Sequence, residues 1–426
     1  MSGGLHVVLH IGTEKTGTTT LQSVLAAHRE RLHTCGIGYL TTPGRVDARG
    51  LAAAALEDRI PDDYLYHLGR DAPAERAAFR TEAVDALRAD VAALPADIHT
   101  VVLSSEHFHS RLRRPSEVAW LGAVLGEWAA SVRVVAYLRR QVDVMASFYS
   151  TELKNGGRRT LAQAAEKLCH PGNHYFDYHR MLGLWAEHFG AEAITPRVMA
   201  PGELQGDRLV EDFLGVLGVA DLHLPDPDRG WLNESVTPLG QGLLRGINTE
   251  LARRGAEDPV AASLRELRQE VLQAFRGKGA TLPLKEARRL QAAFDEANAA
   301  VCARWFPGRE RLFEPVNQAT YPVRQGEPAL SEEQLDLVRR ILDAVDDEAA
   351  TGNPLKPFDA CAILLRDAAV AREDESVAEA QARMGLAGRI RPKGPFIHNR
   401  LAHYRELRSL RGRLRRLLGR CGLGRQ

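Results

Sequence analysis

The first half of the chain alternates short apolar runs with longer stretches in which apolar residues recur at helical spacing. The apolar runs predict four β-strands, at residues 6–11, 100–103, 132–138 and 193–199. Helical patterns follow the first strand, precede the second and cover residues 207–217. Strands that alternate with helices are typical of parallel sheets, so we expect an α/β fold with a central, mostly parallel sheet covered by helices on both faces.

Beyond about residue 240 the pattern is helical, at residues 240–252, 261–276, 284–304 and 331–349. Ser331 to Gln334 has the form of a capping box, which predicts that the last of these helices begins there. Segments that contain Pro and Gly separate the helices. The expected organisation is an α/β domain over 1–325 that is mostly helical from 221, a helical accessory region over 326–388, and a basic amphipathic tail over 389–426.

Composition narrows the class of protein. Of the 426 residues, 44% are hydrophobic and 26% are charged, which is the balance of a soluble globular protein. No apolar run approaches the roughly 20 residues that span a bilayer, and the N-terminus lacks the pattern of a signal peptide, so we expect a cytoplasmic protein. The 5 cysteines are scattered, which argues against a disulfide framework or a thiolate zinc site.

The net charge of +1 hides an uneven distribution. Residues 389–426 hold twelve Arg or Lys residues and one acidic residue, a net of +11, so the other residues carry −10. Several leucines fall on one helical face among these arginines, namely Leu407, Leu410, Leu414, Leu417 and Leu418. We expect the tail either to bind an anionic membrane surface or an acidic partner, or to form a solvated helix that docks on the acidic body.

The segment after the first strand carries the clearest chemistry. Gly12-Thr13-Glu14-Lys15-Thr16-Gly17-Thr18-Thr19 joins that strand to a helix. Backbone N–H groups at such a junction, together with the helix dipole, bind phosphate, while Lys15 adds a cation and the threonines add hydroxyl donors. Lys15 precedes Gly17, whereas the lysine of a Walker A loop follows the last glycine, so the loop is not a Walker A loop.

Charged residues also follow the second and third strands. Glu106 and His107 come after the second strand, and Arg139 comes directly after the third. If the strands are parallel, Lys15, Glu106 and Arg139 lie at one edge of the sheet, where ligands of open α/β sheets bind. The Arg139 guanidinium suits bidentate recognition of a phosphate, and Ser147 adds a hydroxyl donor eight residues later.

Lys15-Thr16-Gly17-Thr18-Thr19 after a first strand resembles the 5′-phosphosulfate-binding loop of sulfotransferases that use 3′-phosphoadenosine 5′-phosphosulfate (PAPS). The resemblance, which is to the bacterial type, covers residues 5–220 well and 221–325 loosely. It implies a P-loop-like three-layer α/β/α fold with a helical C-terminal region. It also implies that the donor's phosphosulfate is bound by Gly12, Thr13, Lys15, Thr16, Gly17, Thr18 and Thr19.

The same resemblance implies roles at the other two strand ends. Arg139 and Ser147 have the spacing of the family's ligands for the 3′-phosphate of PAPS. The family's general base, a His or a Glu, follows the second strand, which makes Glu106 the candidate and His107 the alternative. A polar cluster that caps the next helix is the competing interpretation of these two residues. Sulfuryl transfer requires no metal, and the sequence offers no metal-ligand cluster.

The expected activity is transfer of a sulfuryl group from PAPS to a hydroxyl or amine of a carbohydrate, glycolipid or secondary metabolite, because bacterial members of the family modify such acceptors. Basic and aromatic residues within 155–178 form either an acceptor wall or local core: Arg158, Arg159, His174, Tyr175, Phe176 and Tyr178. The alternatives are a P-loop kinase or NTPase, whose Walker lysine and magnesium-binding Asp are missing, and a non-catalytic nucleotide-binding module. No specific nucleic-acid partner is expected.

Overall fold

The computed structural model describes residues 4–225, 235–255, 257–319, 321, 330–346 and 355–409. The chain forms two compact units, each assembled from separate segments. The first unit comprises Met1–Met145, Ala165–Asn233 and Lys285–Asn317, and the second comprises Ala146–Ala164, Glu234–Leu284 and Gln318–Gln426. Within the described ranges, no helix is both long enough and apolar enough to cross a membrane.

The first unit contains a five-stranded sheet in the order β2-β3-β1-β4-β5, and every neighbouring pair is parallel. The strands are β1 Leu5–Gly12, β2 Ile37–Leu40, β3 Thr100–Ser104, β4 Ala129–Leu138 and β5 Ile194–Val198. The four predicted strands are confirmed, and β4 begins three residues earlier than its apolar run. The sequence did not predict β2, because its four residues Ile-Gly-Tyr-Leu are too few to show a period.

Helices make up most of the remaining described structure. Those before residue 220 are α1 Thr18–Ala27, α2 Arg29–His33, α3 Arg49–Ala55, α4 Asp63–His67, α5 Pro73–Ala92, α6 His107–Arg111, α7 Pro115–Gly126, α8 Gln141–Lys154, α9 Leu161–Leu168, α10 Tyr178–Phe189 and α11 Leu209–Val216. Later helices are α12 Pro238–Arg253, α13 Pro259–Ala274, α14 Leu284–Ala292, α15 Asp295–Trp305, α16 Glu332–Asp346, α17 Asp359–Arg372, α18 Val377–Ile390 and α19 Pro395–Arg408. Short 3₁₀ turns cover Ala191–Ala193, Gln205–Asp207 and Lys356–Phe358.

The later helical predictions hold with one correction. The pattern over 284–304 predicted a single helix, but the structure has two, α14 and α15, with a break before Asp295. The predicted capping box opens α16: the Ser331 N–H donates to Gln334 Oε1 at 3.0 Å, and the Gln334 N–H donates to Ser331 Oγ at 3.1 Å. Two orphan donors of the helix N-terminus are thereby satisfied.

Successive side chains of a strand point to opposite faces of the sheet, so both faces carry apolar side chains, and helices cover both. Val7, Leu9 and Ile11 of β1 pack in a core cluster with residues from α3, α5, α7, α10 and α15. Val8 packs in a second cluster with residues from α1, α2 and α11. The fold is therefore a three-layer α/β/α arrangement with a parallel central sheet, as the sequence predicted.

The described part of the basic tail is packed and paired within the second unit. Arg389 pairs with Asp343 and Asp346, Arg391 pairs with Asp359, and Arg400 pairs with Glu373. Of the five predicted leucines, only Leu407 lies in the described chain, and the other four lie outside it. These pairs agree with the alternative in which the basic segment docks on acidic side chains. The membrane prediction stays a prediction for residues 410–426.

Candidate active site

The loop between β1 and α1 has a backbone shaped by positive φ angles. Gly12, Lys15 and Gly17 adopt φ of 110°, 67° and 82°, and Gly17 directly precedes the first residue of α1. A residue with a side chain rarely adopts such angles, which accounts for the two glycines. The loop thus brings its backbone and the free N–H groups of the α1 N-terminus to the carboxyl edge of the sheet, where an anion is stabilised.

Two threonine hydroxyls hold this loop in shape. Thr13 donates from both its N–H and its Oγ1 to the carbonyl oxygen of Tyr137, at 3.1 Å and 2.9 Å. Thr16 Oγ1 donates to the Thr13 carbonyl oxygen at 2.6 Å. The hydroxyls of Thr13 and Thr16 therefore bond to the protein's own backbone. Thr18 is buried and Thr19 is exposed at the start of α1.

Glu106 lies directly against the loop. A Cβ atom placed on Gly12 would lie 3.1 Å from Glu106 Cα, so the close approach of the two backbones requires glycine at position 12. The Glu106 side chain accepts a hydrogen bond at Oε2 from Nε2 of Gln22 at 2.8 Å. Burial raises the pKa of Glu106, the Gln22 amide opposes this rise, and the Asp47 and Glu14 carboxylates add to it.

His107, the alternative base, is the first residue of α6. Burial and the nearby Arg49 charge lower the pKa of His107 to about 4, so its imidazole is neutral at pH 7. Its Nδ1 atom is buried and has no hydrogen-bond partner in the described chain. The lowered pKa makes His107 a weak base at neutral pH, and Glu106 is the one of the two residues that approaches the loop at Gly12.

Arg139 follows β4 and reaches the loop from the other side of β1. Its Nη1 donates to the Lys15 carbonyl oxygen at 3.0 Å, and its own carbonyl oxygen accepts from the Tyr178 hydroxyl at 2.5 Å. Arg140 has different partners, since it pairs with Asp143 and donates to a backbone carbonyl at 2.7 Å. Arg139 is thus the arginine of this pair that belongs to the loop's surroundings.

The structure brings three of the predicted residues to one edge of the sheet. Lys15, Glu106 and Arg139 follow β1, β3 and β4, which are adjacent and parallel, so they share the carboxyl edge of the sheet as predicted. Ser147 lies further along α8, in the segment that belongs to the second unit, and its side chain is partly buried. Its predicted part in binding a phosphate stays a prediction.

Sequence reasoning missed a group of residues that hold Glu14. The Tyr175 hydroxyl donates to Glu14 Oε2 at 2.9 Å, and the Glu14 N–H donates to His109 Nδ1 at 3.4 Å. His109 Nε2 lies 3.1 Å from the Tyr175 carbonyl oxygen, so this nitrogen carries the proton. Burial lowers the pKa of His109 to about 4. Burial alone would raise the pKa of Glu14, but the nearby Ser110 hydroxyl and the Lys15 charge hold it below its usual range.

These contacts decide between the two interpretations of the aromatic residues within 155–178. Tyr175, Phe176 and Tyr178 are 7%, 1% and 1% exposed. Tyr175 supports Glu14, and Tyr178 supports Arg139. The three aromatic rings are therefore buried, which favours local core over an acceptor wall for these three residues.

Comparisons with known proteins add one structural likeness. The structure is similar to a crystal structure of a sulfotransferase from Alicyclobacillus acidocaldarius. The two chains share 16% sequence identity, the TM-score is 0.35, and the match covers 64% of this chain and 97% of the other. No family model matches the sequence, and no curated protein matches it.

The assembled residues have a defined chemical capacity. The loop and the α1 N-terminus offer N–H donors and Lys15 to an anion, and Glu106 provides a carboxylate with a raised pKa at the same edge. In the part of the chain that the structure describes, no group of three His, Cys, Asp or Glu side chains is placed to hold a metal ion. The site can bind a phosphorylated ligand and accept a proton beside it.

Proposed function

We propose that the protein is a sulfotransferase that moves a sulfuryl group from PAPS to a hydroxyl or amine of a carbohydrate, glycolipid or secondary-metabolite acceptor. The observation that supports this proposal is the close approach of Glu106 to Gly12, because a base at position 106 would then lie beside a loop suited to an anion. An activated donor already contains the energy for transfer. The protein then has to align the reactants, stabilise charge and remove one proton.

Each residue has a distinct part in the proposed reaction. The acceptor oxygen forms a bond to the sulfur of PAPS while the bond from sulfur to the bridging phosphate oxygen breaks, and that electron pair stays on the phosphate oxygen. Lys15 and the N–H groups at the start of α1 stabilise the resulting charge. Glu106 takes the proton of the acceptor hydroxyl. The second product is 3′-phosphoadenosine 5′-phosphate.

The choice of PAPS over ATP rests on the loop and on Arg139. Lys15 lies before Gly17, unlike the Walker lysine, and β3 ends at Ser104 where a P-loop kinase or NTPase has a magnesium-binding Asp. Arg139 adjoins the loop and is a suitable ligand for a second phosphate, which ATP lacks at its 3′ position. We propose that Ser147 adds a hydroxyl donor to the same phosphate.

A ligand-binding experiment tests the proposal without knowledge of the acceptor. Isothermal titration calorimetry and thermal shift with 3′-phosphoadenosine 5′-phosphate should show binding and stabilisation in the absence of magnesium. Mg-ATP at equal concentration should give much weaker binding. Stronger binding of Mg-ATP would favour the kinase alternative, and binding of neither nucleotide would overturn the proposal.

Transfer itself is tested with a labelled donor. PAPS labelled with ³⁵S, incubated with a panel of saccharides, glycolipids and phenolic metabolites, should yield a labelled product that depends on the protein. The Lys15→Ala chain is the matched control, because it should fold and transfer no label. Transfer by the control at the wild-type rate would remove the loop from the reaction.

A further inference from the structure

Gln22 lies on α1, the helix that follows the loop, and bonds to the candidate base Glu106, which comes after β3. Its Nε2 atom donates to Glu106 Oε2 at 2.8 Å and lies 3.4 Å from Ser104 Oγ. The side chain is 4% exposed, so water competes little for these bonds. Eighty-four positions separate Gln22 from Glu106 in the chain, and the two meet only in the folded sheet.

We propose that Gln22 is a positioning residue that holds one oxygen of Glu106, so that the other oxygen, Oε1, is the one that takes the proton of the acceptor. This inference rests on the proposed function. In the described chain, the Gln22 amide donates to Oε2 and no side chain donates to Oε1, while the backbone N–H of Glu106 also bonds to this carboxylate. A carboxylate fixed at one oxygen loses rotational freedom, and the remaining oxygen then has a defined direction.

The polar contacts around Gln22 fix the orientation of its amide. Ser104 Oγ lies 2.7 Å from Nδ1 of His10, and burial lowers the pKa of His10 to about 3, so that imidazole is neutral at pH 7. The Ser104 hydroxyl can donate to Nδ1 and so leave its own oxygen to accept from Gln22. Only the NH₂ end of the amide satisfies both Ser104 and a deprotonated Glu106.

The arrangement joins the two halves of the proposed reaction through a single helix. The first residue of α1, Thr18, belongs to the loop that binds the donor, and Gln22 lies about one helical turn later. A rigid helix therefore sets the distance between the donor's phosphosulfate and the base. Sites held by regular elements are more precise than sites held by loops alone.

Removal of the amide should change the acidity of Glu106. A hydrogen bond from Gln22 stabilises the charged carboxylate, and its loss raises the pKa by about one unit. The other titratable groups that interact with Glu106 are Glu14, Tyr39, Asp47 and Tyr175. None of these groups is altered by a substitution at position 22, so the shift reports on the amide.

The test compares three variants of the full chain by ¹³C NMR of labelled glutamate carboxyls, with Glu106→Gln used to assign the Glu106 signal. Gln22→Met keeps the length of the side chain and removes the donor. The pH midpoint of the Glu106 carboxyl titration should then rise by about one unit. Gln22→Glu introduces a second carboxyl and should raise it further. Gln291→Leu removes another buried amide of the first unit and should leave the midpoint unchanged.

Binding separates this inference from the proposed function. Gln22→Met should bind 3′-phosphoadenosine 5′-phosphate within about twofold of the wild-type affinity and should transfer sulfuryl groups at least tenfold more slowly. An unchanged Glu106 midpoint in Gln22→Met, or a loss of bisphosphate affinity equal to the loss of rate, would overturn the positioning role. Failure of the wild-type chain to bind the bisphosphate would instead overturn the proposed function, whatever the NMR titration shows.

Discussion

Nη1 of Arg139 donates a hydrogen bond to the carbonyl oxygen of Lys15 across 3.0 Å. The residue proposed to bind the 3′-phosphate therefore also supports the backbone of the loop proposed to bind the phosphosulfate. Lys15 has a positive φ of 67°, a conformation that costs free energy in a residue with a side chain. The guanidinium of Arg139 helps to stabilise that conformation.

Arg139→Ala should weaken binding of 3′-phosphoadenosine 5′-phosphate by about 1.5–3 kcal/mol, because a charge-assisted bond to the phosphate is lost. Calorimetric titration measures the change directly. Arg140→Ala is the matched control, since Arg140 pairs with Asp143 and a backbone carbonyl and should leave affinity unchanged. Equal affinity in Arg139→Ala and wild type would remove Arg139 from the donor site.

Lys15→Ala should abolish transfer while it weakens bisphosphate binding far less. The lysine charge is needed most when negative charge develops on the leaving phosphate oxygen, so its loss affects the rate more than the affinity. Single-turnover transfer from labelled PAPS gives the rate, and calorimetry gives the affinity. Parallel losses in both would make Lys15 a binding residue without a special part in transfer.

Glu106→Gln should lower kcat by about two to four orders of magnitude, because the variant keeps the shape of the side chain and removes the proton acceptor. In the wild type, the rate should fall as the pH falls through the raised pKa of Glu106, since only the charged form accepts a proton. If Glu106→Gln stays active and His107→Ala is inactive, His107 is the base and Glu106 is not.

The raised pKa of Glu106 also has a cost in stability. As the pH rises, the carboxyl ionises in the unfolded chain before it ionises in the folded chain, so the folded state loses stability as the pH passes the folded pKa. Glu106→Gln should therefore be more stable than wild type at neutral pH, by urea denaturation, and equally stable well below the unfolded pKa. A variant less stable than wild type at neutral pH would contradict this.

His109 should make the protein sensitive to mild acid. Burial lowers its pKa from 6.5 to about 4. The unfolded chain therefore binds a proton first as the pH falls below 6.5, and stability decreases by up to about 3 kcal/mol before the folded histidine also protonates. His109→Gln should show a shallower loss of stability between pH 6.5 and 4. An identical slope in the two proteins would exclude His109 as the cause.

A chain that ends at Ser409 should keep its fold, whereas one that ends before Arg389 should not. Ile397 and Tyr404 of α19 are 5% and 0% exposed, and the Tyr404 hydroxyl donates to Glu373 at 2.9 Å. Removal of α19 exposes these buried side chains to water, and circular dichroism melting measures the loss of stability.

The chain that ends at Ser409 lacks residues 410–426, for which binding to anionic liposomes is predicted. The full chain should bind such liposomes, and more weakly as the salt concentration rises, whereas the shortened chain should not bind them.

The strands, and the carboxyl edge of the sheet as the place of the site, could be predicted because each is marked by residues that are close together in the sequence. Four apolar runs mark strands, and Lys15, Glu106 and Arg139 each come shortly after the end of one of them. The partners of these residues were not predictable, because the contacts join distant parts of the chain. Gln22 lies 84 positions from Glu106, and Tyr175 lies 161 positions from Glu14. The pattern of apolar and polar residues in the sequence does not indicate such pairs, which form only when the sheet has folded.

The first unit is assembled from segments that are far apart in the chain, which affects its folding during synthesis on the ribosome. Val301, Cys302 and Leu312 pack in the same core cluster as Val7 and Leu9 of the first strand. The sheet is fully synthesised once β5 has emerged, yet its core stays incomplete until more than a hundred further residues have been added. Contacts between such distant positions form slowly and leave apolar surface exposed in the meantime. The growing chain therefore has a long period in which chaperones can bind it.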